Sequence, residues 1–123
     1  MIKGYGTNYS QDGLPPSGGN VATTTTSSTA YTLGTADAQT LISFSSSSAI
    51  AVTIPKNSSV PLPVGTQVSV LQTSGQITIA GASGVTVVST GATASSPKTR
   101  VAYSIATFVQ MSADNWLVTG DVV

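Results

Sequence analysis

The chain contains no cysteine, no histidine and no glutamate. Without thiols it has no disulfide framework, no thiolate nucleophile and none of the usual structural zinc sets. With no imidazole either, its many hydroxyls have no evident base to activate them, which removes nucleophilic triads. Asp12, Asp37, Asp114 and Asp121 are the only side-chain carboxylates, and they are scattered over the N-terminal segment and the predicted loops. Paired-acid hydrolysis therefore has no pair to work with. Charge is scarce altogether: 7% of residues, with four Lys plus Arg cancelling the four Asp, against about 25% in an ordinary soluble domain. Lys3, Lys56, Lys98 and Arg100 form no basic stripe, so nucleic acid is not an expected partner. No apolar run approaches the ~18 residues of a membrane helix, and MIKGYGTNYSQDG lacks the apolar core of a signal peptide. The expectation is a protein without catalysis, metal, cofactor or membrane.

What the chain has instead is serine and threonine, roughly a third of its residues, at a mean hydropathy of +0.26. Such a composition predicts a neutral, hydroxyl-rich exterior with uncharged apolar patches, as on a protein whose surface is covered by neighbours. A Ser/Thr-rich β protein with no such neighbours is the plainer alternative. A length of 123 residues suits one domain with one core.

The most regular stretch runs from Ala49 to Gly91. Ile50, Val52 and Ile54 alternate with Ala51 and Thr53. Val68 and Val70 alternate with Gln67 and Ser69, Ile77 and Ile79 with Gln76 and Thr78, and Val85 and Val87 continue the series. Each is a period-2 pattern with one apolar face. Between them stand the prolines of Pro55 to Gly65, then Ser74-Gly75, then Gly81 to Gly84. These read as turns, and the whole as a β-meander.

On either side the pattern continues. Thr23 to Thr29 is a low-complexity run suited to an exposed or edge strand. Tyr31 and Leu33 begin another strand, and Ile42 and Phe44 mark one more. Thr35 to Leu41 is the single weak helical candidate, one turn at most. Lys98 to Met111 reads as the longest strand, with Val101, Tyr103, Ile105, Val109 and Met111 on a large face expected to meet the core. Ala102, Ser104, Ala106 and Phe108 occupy the other face. Ser112 to Asn115 reads as a four-residue hairpin loop, and Trp116 as a packing residue in a closing strand. The fold class expected is all-β: an antiparallel β-sandwich of about eight strands, with the jelly roll as one form of it.

Residues 1–22 differ from the rest and read as an extended N-terminal arm, with the β domain spanning 23–123. Five glycines and Pro15-Pro16 forbid a helix or long strand in Met1 to Asn20, while Ile2, Tyr5, Tyr9, Leu14, Pro15 and Pro16 supply sparse apolar anchors. Those six residues are the candidate partner-binding positions. The arm packs either on a neighbouring subunit or back on its own domain.

Smaller signals carry less. Asp114, Asn115 and Asp121 could approach across the last hairpin, but no loop has the ligand spacing of a calcium site. Lys98 and Arg100 read as solvated or interface charges, and Asn57-Ser58-Ser59 as a turn rather than a glycosylation site.

The run TIPKNSSVPLPVGTQVSVLQTSGQITIAGASGVTVVS, closed by NWLVTGD, resembles a β-rich module of tailed-bacteriophage structural proteins, found in tail fibres and capsid-surface proteins. The features that carry the resemblance are Ile54-Pro55, Pro63-Val64-Gly65-Thr66, Gln72, Gly75, Ile77-Thr78, Gly84-Val85-Thr86, Trp116 and Gly120-Asp121, over roughly residues 40–123. The resemblance implies a virion protein assembled in the host cytoplasm and commonly homotrimeric. One role is a capsid decoration, or cement, protein on the outer capsid surface, bound to the major capsid protein. The alternative is a short tail-fibre or tail-tip module that binds host-surface glycans. A fibre is expected to carry a long shaft or repeats, whereas only an arm of about 20 residues precedes the domain here, so the cement role is favoured.

Overall fold

A computed structural model describes residues 21–90 and 95–123. Nine strands occupy these residues: β1 (Ala22–Thr26), β2 (Ala30–Thr32), β3 (Thr40–Phe44), β4 (Ile50–Ile54), β5 (Gln67–Gln72), β6 (Ile77–Gly81), β7 (Thr86–Ser89), β8 (Ile105–Ser112) and β9 (Asn115–Gly120). One 3-10 turn, Thr35–Asp37, is the only helical element among the described residues, at the place where the sequence allowed one.

The protein is all-β, as its alternation requires, but the strands do not form a meander. They make a six-stranded sheet in the order β1-β3-β5-β8-β9-β7 and a three-stranded sheet in the order β2-β4-β6. The first six strands alternate between the two sheets, and each of β1 to β4 pairs in parallel with the strand two places on. Thr24 lies beside Ile42 and Ile42 beside Val70, while Tyr31 lies beside Val52 and Val52 beside Ile79. The chain thus winds through three stacked coils, each giving one strand to each sheet, in the manner of a short β-solenoid. Among the strands, antiparallel ladders join only β5 with β8 and β8 with β9, with single antiparallel bridges at Thr78–Lys98 and Thr99–Val122, and β7 closes the large sheet parallel to β9. The expected antiparallel arrangement is corrected accordingly. Period-2 alternation is the same for either strand direction, and what decides the direction here is where the connections lead. From β1 to β7 they are corners that carry the chain from one sheet to the other rather than hairpins.

The corner Ser74-Gly75 shows this. The Gly75 amide donates to the Ser46 carbonyl of the coil before it (2.8 Å), and a β-carbon on Gly75 would run into the Ser48 carbonyl oxygen. This glycine is required by the approach of two stacked corners.

Both sheets contribute to a single hydrophobic cluster. Ile42 and Phe44, Val68 and Val70, Ala106 and Phe108, and Trp116 and Val118 come from the large sheet, and Ile50, Val52, Ile54, Ile77 and Ile79 from the small one. Leu62 enters from the proline-bearing loop between β4 and β5. Each of the larger side chains, fully buried, contributes on the order of 1.5–3 kcal/mol by leaving water. Trp116 is in the core, at 2% exposure, as its packing role predicted.

Two buried amide side chains secure the loops. The Gln110 Nε2 donates to the Leu62 carbonyl (2.8 Å), holding the proline loop against β8, while its Oε1 has no partner among the described residues. Thr99 is wholly buried; its hydroxyl donates to Gln72 Oε1 and accepts from the Ile77 amide (2.9 Å). Together with the bonds from the Ile79 amide to the Pro97 carbonyl and from the Thr99 amide to the Ile77 carbonyl, this lays residues 97–99 along the outer edge of β6. An edge that would otherwise offer free ladder groups is covered.

The long strand expected over Lys98 to Met111 is shorter, and its faces are reversed. Residues 101–104 form a turn closed by the Ser104 amide on the Val101 carbonyl (3.0 Å), and β8 starts only at Ile105. Ala106, Phe108 and Gln110 point inward, while Ile105 and Met111 are exposed. Register with the neighbours sets this: Phe108 lies beside Val68 and Val118, and Ala106 beside Val70. The hairpin to β9 is also tighter than expected, with only Ala113 and Asp114 between the strands and a register shift at Gln110 to Ser112.

Replacing Phe108 by alanine is expected to lower unfolding free energy by about 3–5 kcal/mol, whereas Ile105→Ala should change it by no more than about 0.5 kcal/mol. Urea denaturation distinguishes this from the reverse order, which the large-face reading of the sequence requires. Gly75→Ala should cost about 1–3 kcal/mol through overpacking of the stacked corners. An unchanged melting temperature for that variant would contradict the corner geometry.

Candidate interaction surface

The six anchor positions Ile2, Tyr5, Tyr9, Leu14, Pro15 and Pro16 lie outside the described residues. The segment that carries them joins the domain at Val21, immediately before β1, an edge strand of the large sheet. β1 is exposed along almost its whole length, as the threonine run predicted.

The three aspartates and Arg100 within the described residues are engaged in holding loops and turns. Arg100 and Asp121 form a two-point ion pair, Nε to Oδ1 at 2.7 Å and Nη2 to Oδ2 at 3.1 Å, and the Ser104 hydroxyl donates to Asp121 Oδ2 at 2.7 Å. The hydrogen bond from Arg100, followed by that from Ser104, holds the Asp121 carboxyl below its ordinary range. Asp114 instead accepts the Asn57 amide at 2.7 Å, clamping the loop after β4 to the β8–β9 hairpin. β9 separates these two aspartates by its full length, roughly 20 Å at ~3.3 Å per residue, so they do not converge with Asn115. No group of three metal-ligating side chains occurs among the described residues. Asn57 sits in a turn, its Oδ1 accepting the Leu62 amide (3.0 Å).

Asp37 is the buried carboxylate. It accepts the Gly34 amide (2.8 Å) and the Tyr31 hydroxyl, which lies 2.8 and 2.9 Å from its two oxygens. The Tyr31 ring meets Phe44 edge-on, with centroids 5.6 Å apart. Burial, then the hydrogen bond to Asp37 and its negative charge, push the Tyr31 phenol up to about 12. This is a brace tying β2 to the 3-10 turn.

The large sheet presents a different kind of surface on the side away from the core. In register across it, Leu41, Ser69, Thr107 and Thr119 form one row. Ser43, Leu71 and Ile105 form the next, and Val109, Leu117 and Val88 a third. None of these positions carries a charge. The Ser69 and Thr107 hydroxyls bond each other at 2.9 Å, so even the polar groups of the central row are partly satisfied within it. Val88, Ile105 and Met111 are 42, 43 and 49% exposed. The outer positions of the small sheet are also uncharged but much smaller: Ala30, Thr32, Ala51, Thr53, Thr78 and Ala80.

Next to the large outer face, Tyr103 is 77% exposed and adopts a left-handed backbone (φ 69°), a conformation costing about 1–2 kcal/mol in a non-glycine residue. Its amide bond to the Gln72 carbonyl (2.6 Å) and the adjoining Arg100–Asp121–Ser104 cluster hold it there. Sequence reasoning assigned Val101, Tyr103, Ile105 and Met111 to the core. The parity that would have placed them outside is interrupted by the turn at residues 101–104, and nothing in the pattern of β8 alone reveals it.

No protein-family model and no curated protein matches the chain.

Because folding raises the Tyr31 pKa above its ordinary value near 10, its contribution to stability is fully present below about pH 10 and is lost as pH rises through about 12. An absorbance titration should show a late tyrosine step at about pH 12. Tyr31→Phe should abolish that late step and flatten the alkaline loss of stability. A titration with no tyrosine step at about pH 12 would be incompatible with the brace.

Proposed function

We propose that the chain is a bacteriophage structural protein, a capsid decoration protein that binds the major capsid protein on the outer surface of the shell and reinforces it. In this reading its two sheets stack as a sandwich, it acts as a homotrimer, it needs no cofactor, and its chemistry is contact rather than catalysis. The observation that carries the reading is the uncharged outer face of the large sheet, which joins exposed Val88, Ile105 and Met111 to a domain with few charges anywhere. A surface of that composition gains more from being covered than from facing water. The resemblance of residues 40–123 to phage virion modules supplies the setting, and the arm, joined at the edge of the same sheet, supplies the fastening.

The decisive experiment removes residues 1–20. Strand β1 begins at Ala22, so the domain should stay folded while binding to purified capsids falls by orders of magnitude. Each lost Tyr or Leu anchor is worth on the order of 1.5–3 kcal/mol before ordering costs are subtracted. Attachment should hardly depend on salt, since Lys3 and Asp12 are the only charged side chains in the arm. Particles lacking the protein should assemble yet break at lower temperature, as expected when a bound clamp stabilises the shell. Undiminished decoration by the truncated protein refutes the role of the arm. Particles of full stability that fail to adsorb to host cells would instead assign the protein to a tail tip.

A further inference from the structure

We infer that the outer face of the six-stranded sheet is where one copy of this chain meets another. The inference rests on the homotrimer proposed above and adds the surface that forms it, each copy turning this face toward the threefold axis so that it meets both neighbours.

Three observations select this face and this occupant. The first is chemical: the outward positions of β3, β5, β8, β9 and β7 include Leu41, Leu71, Ile105, Val109, Leu117 and Val88 and no charged side chain. A charged partner finds no counter-charge there, whereas a second copy brings a patch of the same neutral kind, without like-charge repulsion. The Ser69–Thr107 bond further lowers the cost of drying the centre of the patch, because these hydroxyls already have each other.

The second is extent. Six strands at ~4.8 Å spacing and about five residues long at ~3.3 Å each span on the order of 450 Å² of sheet, so three copies turned to a common axis bury on the order of 1,500 Å² together once side-chain relief is included. That total lies in the range of a specific assembly. The outer face of the small sheet has half as many strands and carries only alanine and threonine, so it falls short in both area and apolar content.

The third is the distribution of exposure. Among the large apolar side chains left exposed, Val88, Ile105 and Met111 lie on strands of this sheet, and Val101 and Tyr103 lie in the turn that leads into β8. Within one copy nothing among the described residues covers them.

The full-length protein tests this directly, and the absence of cysteine makes thiol labelling clean. Ile105→Cys and Val64→Cys place single thiols at positions exposed within one copy, the first on the sheet face and the second in the β4–β5 loop. At concentrations where light scattering shows an oligomer, a bulky maleimide should label the Ile105→Cys protein at least tenfold more slowly than the Val64→Cys protein, and the difference should vanish on dilution to monomer. The double variant Ile105→Lys, Met111→Lys should be monomeric with an unchanged circular dichroism spectrum. An oligomer in which both thiols react equally fast overturns this assignment and leaves self-association intact. A native protein that is monomeric at all concentrations overturns both, while capsid decoration, measured separately, decides the virion role.

Discussion

The constraint on which the rest of the structure depends is that one short run of chain must wall the core from both sides. β3 and β4 are separated by only a few serines, yet Ile42 and Phe44 belong to one sheet and Ile50, Val52 and Ile54 to the other. A tight hairpin would have put these residues in a single sheet with a single buried face. The corner sends β4 to the second sheet instead, and every later coil must repeat the manoeuvre for its strands to find parallel partners. The dense contact of Gly75 with Ser46 and Ser48 is where that repetition is most strictly enforced.

This accounts for both what the sequence revealed and what it concealed. Strand positions were legible because burial on one face imposes alternation: Ile50 to Ile54 reads as a strand and is one, with its apolar members inside. The edge character of Thr23 to Thr26 and the core position of Trp116 followed from composition and from size. Strand direction was not legible, since the Ser74-Gly75 corner has the composition of a hairpin turn. Only the neighbouring backbone shows why the glycine is there. The inside and outside of β8 were inverted for a related reason. Its own residues offer two plausible faces, and the choice between them belongs to Val68, Val70 and Val118 on strands far away in sequence.

The candidate surface follows from that inversion. Once Phe108 and Ala106 turn inward, Ile105 and Val109 must turn outward, Ile105 beside Leu71 of β5 and Val109 beside Leu117 of β9. No single strand displays the patch. It emerges from register across the sheet and so has no signature in any local window. The low charge of the chain gave notice that such a surface would exist without indicating where. The anchors of the N-terminal arm pose the opposite case: their apolar character is plain in the sequence, and they lie outside the described residues.

The pairing scheme also bears on how the chain can be built during synthesis. Strands β1 to β6 each find their parallel neighbour one coil away, so the stack can grow from its first coil as the ribosome delivers it, with contacts of short sequence separation. β7 breaks that order. Its only ladder partner among the described residues is β9, which in turn needs β8, itself docked on β5. The fourth passage through the large sheet therefore waits, its Val87 unburied, until the terminal hairpin has emerged and closed beside it. Growth is sequential for the first three coils, and completion is a single late event.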